Sequence, residues 1–167
     1  AGTLLAYELF RQNRTFVVVN DPNQIKSSDV AAGIINPVVF RRMTKSWLVD
    51  DAFPQMETTY RKLEELLHEQ LYFPNQLIKS LSEDGVGLWK EKMFANHLEA
   101  YLELEPKLNF RNPGIFNTSS FGCVNKSGRL DIQKLISAFS GFLSQQNSIK
   151  NKKLDYEKLV LQSDSIN

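Results

Sequence analysis

The sequence has very little cysteine and histidine. Cys123 is the single thiol among 167 residues, so no internal disulfide can form, and such scarcity is typical of a reducing compartment. His97 has neither a cysteine nor the second histidine, His68, within metal-ligand spacing, so we predict no metal site. We also find no internal repeat and no low-complexity segment.

The sequence also lacks an excess of one charge and any long hydrophobic run. Its Lys+Arg 20 and Asp+Glu 19 nearly cancel, which excludes the general basic footprint of a nucleic-acid-binding protein. No apolar stretch approaches the ~20 residues that span a bilayer, and no signal peptide is visible. Together with the single cysteine, these features predict a cytoplasmic protein with no membrane partner.

What is present has the composition of a globular protein. Apolar residues make up 42% of the chain and charged residues 23%, which are ordinary shares for a soluble protein. A length of 167 residues suits one or two domains and is sufficient to bury a hydrophobic core.

The rest of the sequence is organised around one stretch, TFVVVNDPNQIKSSDVAAGIINP, from Thr15 to Pro37. Residues 2–12 carry apolar side chains at helical spacing, and the β-branched and aromatic run after them predicts a strand over 15–19, buried on both faces. The segment 20–22 predicts a turn that ends this strand. A helix, a tight link and a hydrophobic strand in this order are typical of the second half of a βαβ nucleotide-binding unit.

Two places in this unit predict contacts to a dinucleotide. In dinucleotide-binding folds, an acidic residue about 20 residues beyond the glycine fingerprint bonds the ribose hydroxyls. If Gly2 takes the third-glycine role beside the sheet, that place falls on Asn20 and Asp21. The alternative is that Gly2 is an ordinary N-terminal residue of an ordinary helix.

A turn that is rich in small residues follows the strand. Ser27, Ser28 and Asp29 are residue types that cap helices, and Ala31-Ala32 would continue a short helical turn. Exposed N–H groups at such a start form an anion site suited to a pyrophosphate, whereas the plainer alternative is a capped surface turn. The small run 31–33 predicts close approach of a planar ligand or of another backbone segment.

The segment SSDVAAGIINP, from Ser27 to Pro37, resembles the stretch after the second strand in FAD-dependent oxidoreductases of the D-amino-acid oxidase and glycine oxidase type. In that family, a Ser-rich turn and a small-residue run lie against the flavin dinucleotide. The resemblance implies an α/β protein with a Rossmann-like FAD-binding domain and an inserted, mostly antiparallel α+β substrate domain. FAD is the implied cofactor. The implied cofactor-binding residues are Gly2, Asn20, Asp21, Ser27, Ser28, Ala31, Ala32 and Gly33.

The resemblance also implies a division into domains and a reaction. Residues 1–75 would be the first part of the FAD-binding domain, 76–125 a segment of the substrate domain, and 126–167 an incomplete return to the FAD-binding domain. The implied reaction oxidises the C–N bond of a small-molecule amine or amino acid, with FAD accepting the hydride. Because Gly2 would be the third glycine of its motif, we expect the N-terminal portion of a longer enzyme, inactive by itself. No catalytic residue is predicted.

Two other functions stay open. The same strand-end residues would serve half of an NAD-dependent dehydrogenase, although the Ser-rich and small-residue segment disfavours it. A non-catalytic nucleotide-binding domain would keep the fold without the flavin. Nucleic acid is not an expected partner, with a modified tRNA base as the one exception, and the oligomeric state is open.

The rest of the chain carries local signals for secondary structure. A long helix over 53–71 is predicted from apolar positions that recur every three or four residues; these are Phe53, Met56, Tyr60, Leu63 and Leu67. Further helices are predicted over 87–96 and after Asp131. The predicted strands are 77–81, 121–124 and 159–161, and the predicted turns are 82–85, 109–120 and 125–128.

Three further predictions concern single side chains and one basic pair. Cys123 is expected to be a buried strand thiol, and His68 is expected to be exposed. The pair Arg41-Arg42 could meet a phosphate, although so short a basic pair is more often a solvated surface feature.

Overall fold

The computed structural model describes residues 2–104, 120–158 and 160. The chain is a mixed α/β protein that divides into two compact units. The first unit spans residues 1–31 and 132–167, and the second spans residues 32–131. None of the described helices is both long and apolar enough to cross a membrane.

The described residues contain four α-helices and ten short strands. The helices are α1 (Gly2–Arg11), α2 (Val49–Leu67), α3 (Glu83–Ala95) and α4 (Ile132–Gln145). The strands are β1 (Val18–Asn20), β2 (Ile34–Ile35), β3 (Val38–Val39), β4 (Thr44–Lys45), β5 (Tyr72–Pro74), β6 (Leu77–Leu81), β7 (Leu102–Leu104), β8 (Ser120–Val124), β9 (Gly128–Leu130) and β10 (Ile149–Asn151). Short 3-10 turns lie at Ser27–Asp29 and Tyr156–Lys158.

In the first unit, β1 and β10 form a parallel pair, although the aligned residues Asn20 and Asn151 are 131 positions apart in the sequence. Two edge-to-face aromatic contacts hold α1 against α4, and this geometry adds to the burial of the rings. The pairs are Tyr7 with Phe139, whose ring centroids lie 6.2 Å apart, and Phe10 with Phe142, at 4.9 Å. The predicted helix over 2–12 is therefore confirmed, and it belongs to a unit with parallel strands.

The predicted strand over 15–19 is wrong in its bounds and in its burial. The observed strand is β1, and the side chains of Val17 and Val19 are 51% and 37% exposed. Burial alternates along this segment, because Phe16, Val18 and Asn20 are half-buried while the valines between them face outward. A strand with one covered face alternates in this way, whereas a continuous apolar run predicts two covered faces.

The second unit is built from antiparallel strands. β9 is the central strand of one three-stranded sheet, between β2 and β5, and β8 is the central strand of another, between β6 and β7. β3 and β4 form a separate hairpin. The buried core cluster of this unit is Val38, Met43, Val49, Leu81, Trp89, Leu98, Tyr101, Leu102 and Val124.

The bounds of the two units differ from those that the resemblance implies. Residues 32–75 pack within the second unit, because β2 and β5 both pair with β9. The first segment of the first unit therefore ends at Ala31, whereas the resemblance implies residue 75. The chain returns to this unit at Ile132, where α4 begins.

The long helix is confirmed with shifted ends. α2 begins at Val49 and ends at Leu67, because His68 adopts a left-handed conformation with φ 54° that stops the helix. Leu63 is fully buried, and the other four residues of the predicted face are half-buried. His68 is exposed, as predicted.

Other local predictions are confirmed or corrected in the second unit. The strand 77–81 and the turn between β8 and β9 are confirmed. The segment 82–85 is not a turn: Ser82 accepts a hydrogen bond from the N–H of Gly85 at 3.2 Å and caps α3, which begins four residues before the predicted start. Most of the predicted turn over 109–120 and most of the predicted strand over 159–161 lie outside the described residues.

Cys123 is a fully buried residue of β8, as predicted. Burial raises the pKa of its thiol, and the nearby carboxylate of Glu103 raises that pKa further. A thiol with a raised pKa forms little of the reactive thiolate, so Cys123 serves packing rather than nucleophilic chemistry.

The indole of Trp89 lies directly on the backbone of β8. An added Cβ at Gly122 would lie 2.5 Å from Cζ2 of Trp89, and Trp89 is only 2% exposed. Real side-chain carbons do not approach so closely, which means that this contact of helix α3 with the sheet requires glycine.

We expect Gly122→Ala to lower the free energy of unfolding by about 1–3 kcal/mol, because the new methyl group displaces a buried indole. Chemical denaturation measures this change. Gly141→Ala is the matched control, since Gly141 is exposed on α4 and an added Cβ there meets no atom within 4 Å. It should stabilise the protein by roughly 0.5–1 kcal/mol. Equal effects of the two substitutions would contradict this account.

A tyrosine–aspartate hydrogen bond fixes the N-terminal end of α2. The hydroxyl of Tyr101 donates to the carboxylate of Asp50, and the Nζ of Lys45 donates to the same carboxylate at 2.8 Å. Lys45 and Tyr101 lower the pKa of Asp50. Burial, and then the bond to Asp50, raise the pKa of Tyr101 to about 12.

The raised pKa of Tyr101 predicts how stability depends on pH. Its contribution is fully present below the ordinary tyrosine pKa, about 10, and is lost as the pH rises through about 12. We therefore expect the stability difference between wild type and Tyr101→Phe to stay constant up to about pH 10 and to shrink above it. In Asp50→Asn, ultraviolet titration should show the Tyr101 phenolate forming at lower pH. An unchanged titration would show that Asp50 does not control this hydroxyl.

Candidate functional site

The first unit contains a cleft of about 320 Å³ at the ends of its two parallel strands. Gly2 and Ala6 of α1, Val18 and Asn20 of β1, and several residues of α4 line it. In α/β sheets, ligands bind outside the carboxyl ends of the strands. β1 ends at Asn20 and β10 ends at Asn151, so the polar ends of both strands lie at this edge.

A chain of hydrogen bonds joins the ends of the two strands. The side-chain amide of Asn20 donates to Oδ1 of Asn151 at 3.1 Å, and Nζ of Lys26 donates to Oδ1 of Asn20 at 2.7 Å. Lys26 also lines the cleft. The result is a half-buried ammonium group, held by an amide, beside a wall of apolar side chains.

The turn after Lys26 is capped differently from the prediction. Lys26 and Asp29 bond reciprocally: the backbone N–H of Lys26 donates to Oδ2 of Asp29, and the backbone N–H of Asp29 donates to the carbonyl of Lys26, both at 2.9 Å. The N-cap residue is therefore Lys26, and Asp29 bonds back to it from the third position of the turn, so neither serine nor Asp29 is the N-cap. The predicted helical turn through Ala31-Ala32 is wrong, because the turn ends at Asp29 and both alanines are exposed and non-helical.

The two candidates for the ribose contact face different cavities. Asn20 lines the cleft, whereas Asp21 lines a neighbouring cavity of about 490 Å³ together with Lys152 and Lys153. Asp21 accepts the backbone N–H of Asn23 at 2.9 Å, which makes it a turn residue as well. Asn20 is therefore the strand-end residue that belongs to the cleft.

Position 33 requires glycine because another backbone segment approaches it closely. Its φ is 71°, and an added Cβ would lie 1.9 Å from the carbonyl oxygen of Leu130. The backbone N–H of Leu130 donates to the Gly33 carbonyl at 2.8 Å. Of the two alternatives that the sequence left for this residue, the structure shows the backbone contact, and it lies within the second unit.

The structure thus brings some of the predicted cofactor-binding residues together and not others. Those that line the cleft are Gly2, Asn20 and Ser28. Those that do not line it are Asp21, Ser27, Ala31, Ala32 and Gly33. An added Cβ at Gly2 would meet no atom within 4 Å, so the cleft is open at the start of α1.

Sequence reasoning missed Lys26 and Asn151. Lys26 directly precedes Ser27-Ser28, and a lysine beside a turn that suits an anion is a signal that could have identified it. Asn151 carries no such signal, because its contact with Asn20 spans 131 residues and depends on the pairing of β1 with β10.

Within the described part of the chain, no group of three or more His, Cys, Asp and Glu residues could hold a metal ion. Among the residues that line the cleft, Lys26 is the one ionisable side chain. The described lining of the cleft therefore offers binding and charge neutralisation, and it contains no carboxylate or imidazole for proton transfer.

Comparison with known proteins adds no assignment to these observations. No family model matches the sequence. No solved structure matches the chain at a significant level.

Proposed function

We propose that the chain is a FAD-dependent oxidoreductase acting on the C–N bond of an amine or amino acid, and that the cleft of its first unit holds the adenosine diphosphate part of FAD. The observation that carries the proposal is the Lys26–Asn20–Asn151 network at the carboxyl ends of two parallel strands. The sequence from Ser27 to Pro37, which resembles flavin-binding segments, directly follows this network.

The residues present suit the parts of a dinucleotide. Lys26 supplies a positive charge for the pyrophosphate, and the open start of α1 at Gly2 supplies free backbone N–H groups and a favourable dipole. Asn20 offers an amide to ribose hydroxyls. Ile136 and Leu143 of α4 offer an apolar wall to a flat base. When bound, FAD would accept the hydride, while these residues bind and orient it.

A non-catalytic nucleotide-binding domain is the second candidate function. It is favoured by one observation, which is that Lys26 is the only ionisable side chain lining the cleft among the described residues. Such a site can hold an anionic ligand without doing acid–base chemistry on it.

We expect Lys26→Gln to weaken binding of FAD and of ADP by roughly 10- to 100-fold, since a hydrogen bond to a charged group contributes about 1.5–3 kcal/mol. Binding of riboflavin, which has no phosphate, should not respond to the substitution. Titration calorimetry measures all three ligands. The matched control is Lys62→Gln, which removes the same charge from an exposed position on α2.

Three results would contradict or redirect the proposal. ADP binding that is equal in Lys26→Gln and wild type would show that the cleft is not the site. Binding of NAD in preference to FAD would favour the dehydrogenase alternative. A protein that holds FAD, yet whose flavin absorbance no amine or amino acid bleaches without oxygen, would be the non-catalytic nucleotide-binding domain.

A further inference from the structure

The second unit contains a separate cavity of about 250 Å³ with a strongly asymmetric lining. It lies beside α3, the end of β6 and the segment after β3. Phe40, Leu81, Leu88 and Trp89 supply apolar surface to it. The rings of Phe40 and Trp89 are tilted at 42° with their centroids 6.4 Å apart, so two aromatic rings form one side of the cavity.

Among the residues that the structure describes, four cationic side chains and no acidic side chain line the same cavity. The cations are Arg41, Arg42, Lys79 and Lys92. Nζ of Lys92 lies 3.4 Å from the carboxylate of Glu91, and Nζ of Lys79 lies 5.5 Å from the ring centroid of Phe40. Neither arginine forms an ion pair or a side-chain hydrogen bond with any residue in 2–104, 120–158 or 160.

A buried hydrogen-bond donor also lacks a partner at this place. Trp89 is 2% exposed, and its indole Nε1 makes no hydrogen bond within the part of the chain that the structure describes. Most buried polar atoms in proteins are paired, so this N–H is an exception. The nitrogen is itself buried, and it is the ring carbons of Trp89 that can offer surface to the cavity.

We propose that this cavity binds a small organic anion that carries one carboxylate on a flat apolar body, the class of aromatic carboxylates. The guanidinium groups of Arg41 and Arg42 match a carboxylate in shape and charge, because each presents paired donors in a plane. The two rings suit a flat body, and the volume suits a single ring. The site lies wholly in the second unit and is independent of flavin binding.

Apolar walls distinguish this ligand class from inorganic anions. Phosphate and sulfate are strongly hydrated and leave the accessible apolar surface of Phe40 and Leu88 uncovered, whereas an aromatic carboxylate covers that surface and contacts the arginines at the same time. The pair Arg41-Arg42, which the sequence left as either a phosphate contact or a surface feature, becomes part of a carboxylate site.

The test compares phenylacetate, its uncharged isostere phenylacetamide, and inorganic phosphate by titration calorimetry on the whole chain. Phenylacetate should bind at least about tenfold more tightly than either of the other two. The double substitution Arg41→Gln/Arg42→Gln should weaken phenylacetate binding about tenfold or more, with little effect on phenylacetamide. The matched control, Lys62→Gln/Lys90→Gln, removes two exposed charges outside the cavity and should bind like wild type.

A spectroscopic measurement checks the position of the ligand and does not depend on the arginine variant folding. In Trp47→Phe, Trp89 is the remaining tryptophan, because the chain contains two. Phenylacetate should change the emission of Trp89, and phosphate should not. Absence of phenylacetate binding, equal binding of phenylacetate and phenylacetamide, equal weakening by the two double substitutions, or unchanged Trp89 emission would each overturn the proposal.

Discussion

The first unit depends on the parallel pairing of β1 with β10. Parallel strands cannot be joined by a tight turn, and here the connection contains the entire second unit and then α4. Because of this pairing, Asn20 and Asn151 end at the same edge, and Lys26 can bond to an amide that is itself held in place. The cleft and its polar end are both consequences of one strand pair of three residues on each side.

The two cavities differ in the charged side chains that line them. Counting only the described residues, the cleft of the first unit has one cation that is held by an amide, whereas the cavity of the second unit has four cations and no lining carboxylate. The formal net charge of the chain is only +1, so the acidic residues that balance these cations lie elsewhere. A near-zero net charge therefore argues against a general basic footprint, and it says little about local sites.

Local signals were sufficient for much of the secondary structure. The helical spacing in 2–12 and from Phe53 to Leu67 predicted α1 and α2, and alternation predicted β6. The wrong predictions concern features that residues far away in the sequence determine. Whether Val17 and Val19 are covered depends on which strands and helices surround β1, and Gly33 is small because of Leu130, 97 residues later. No pattern within a short window contains that information.

The antiparallel pairing of β2 with β9 bears on the order in which the chain can fold. Ile34 stands opposite Arg129, so a folded second unit already holds its two ends together. The loop that β1 and β10 must then close is about fourfold shorter than the intervening chain, which reduces the closure entropy by roughly 1.2 kcal/mol. Pairing of β2 with β9 before β1 meets β10 therefore shortens the loop that the first unit has to close.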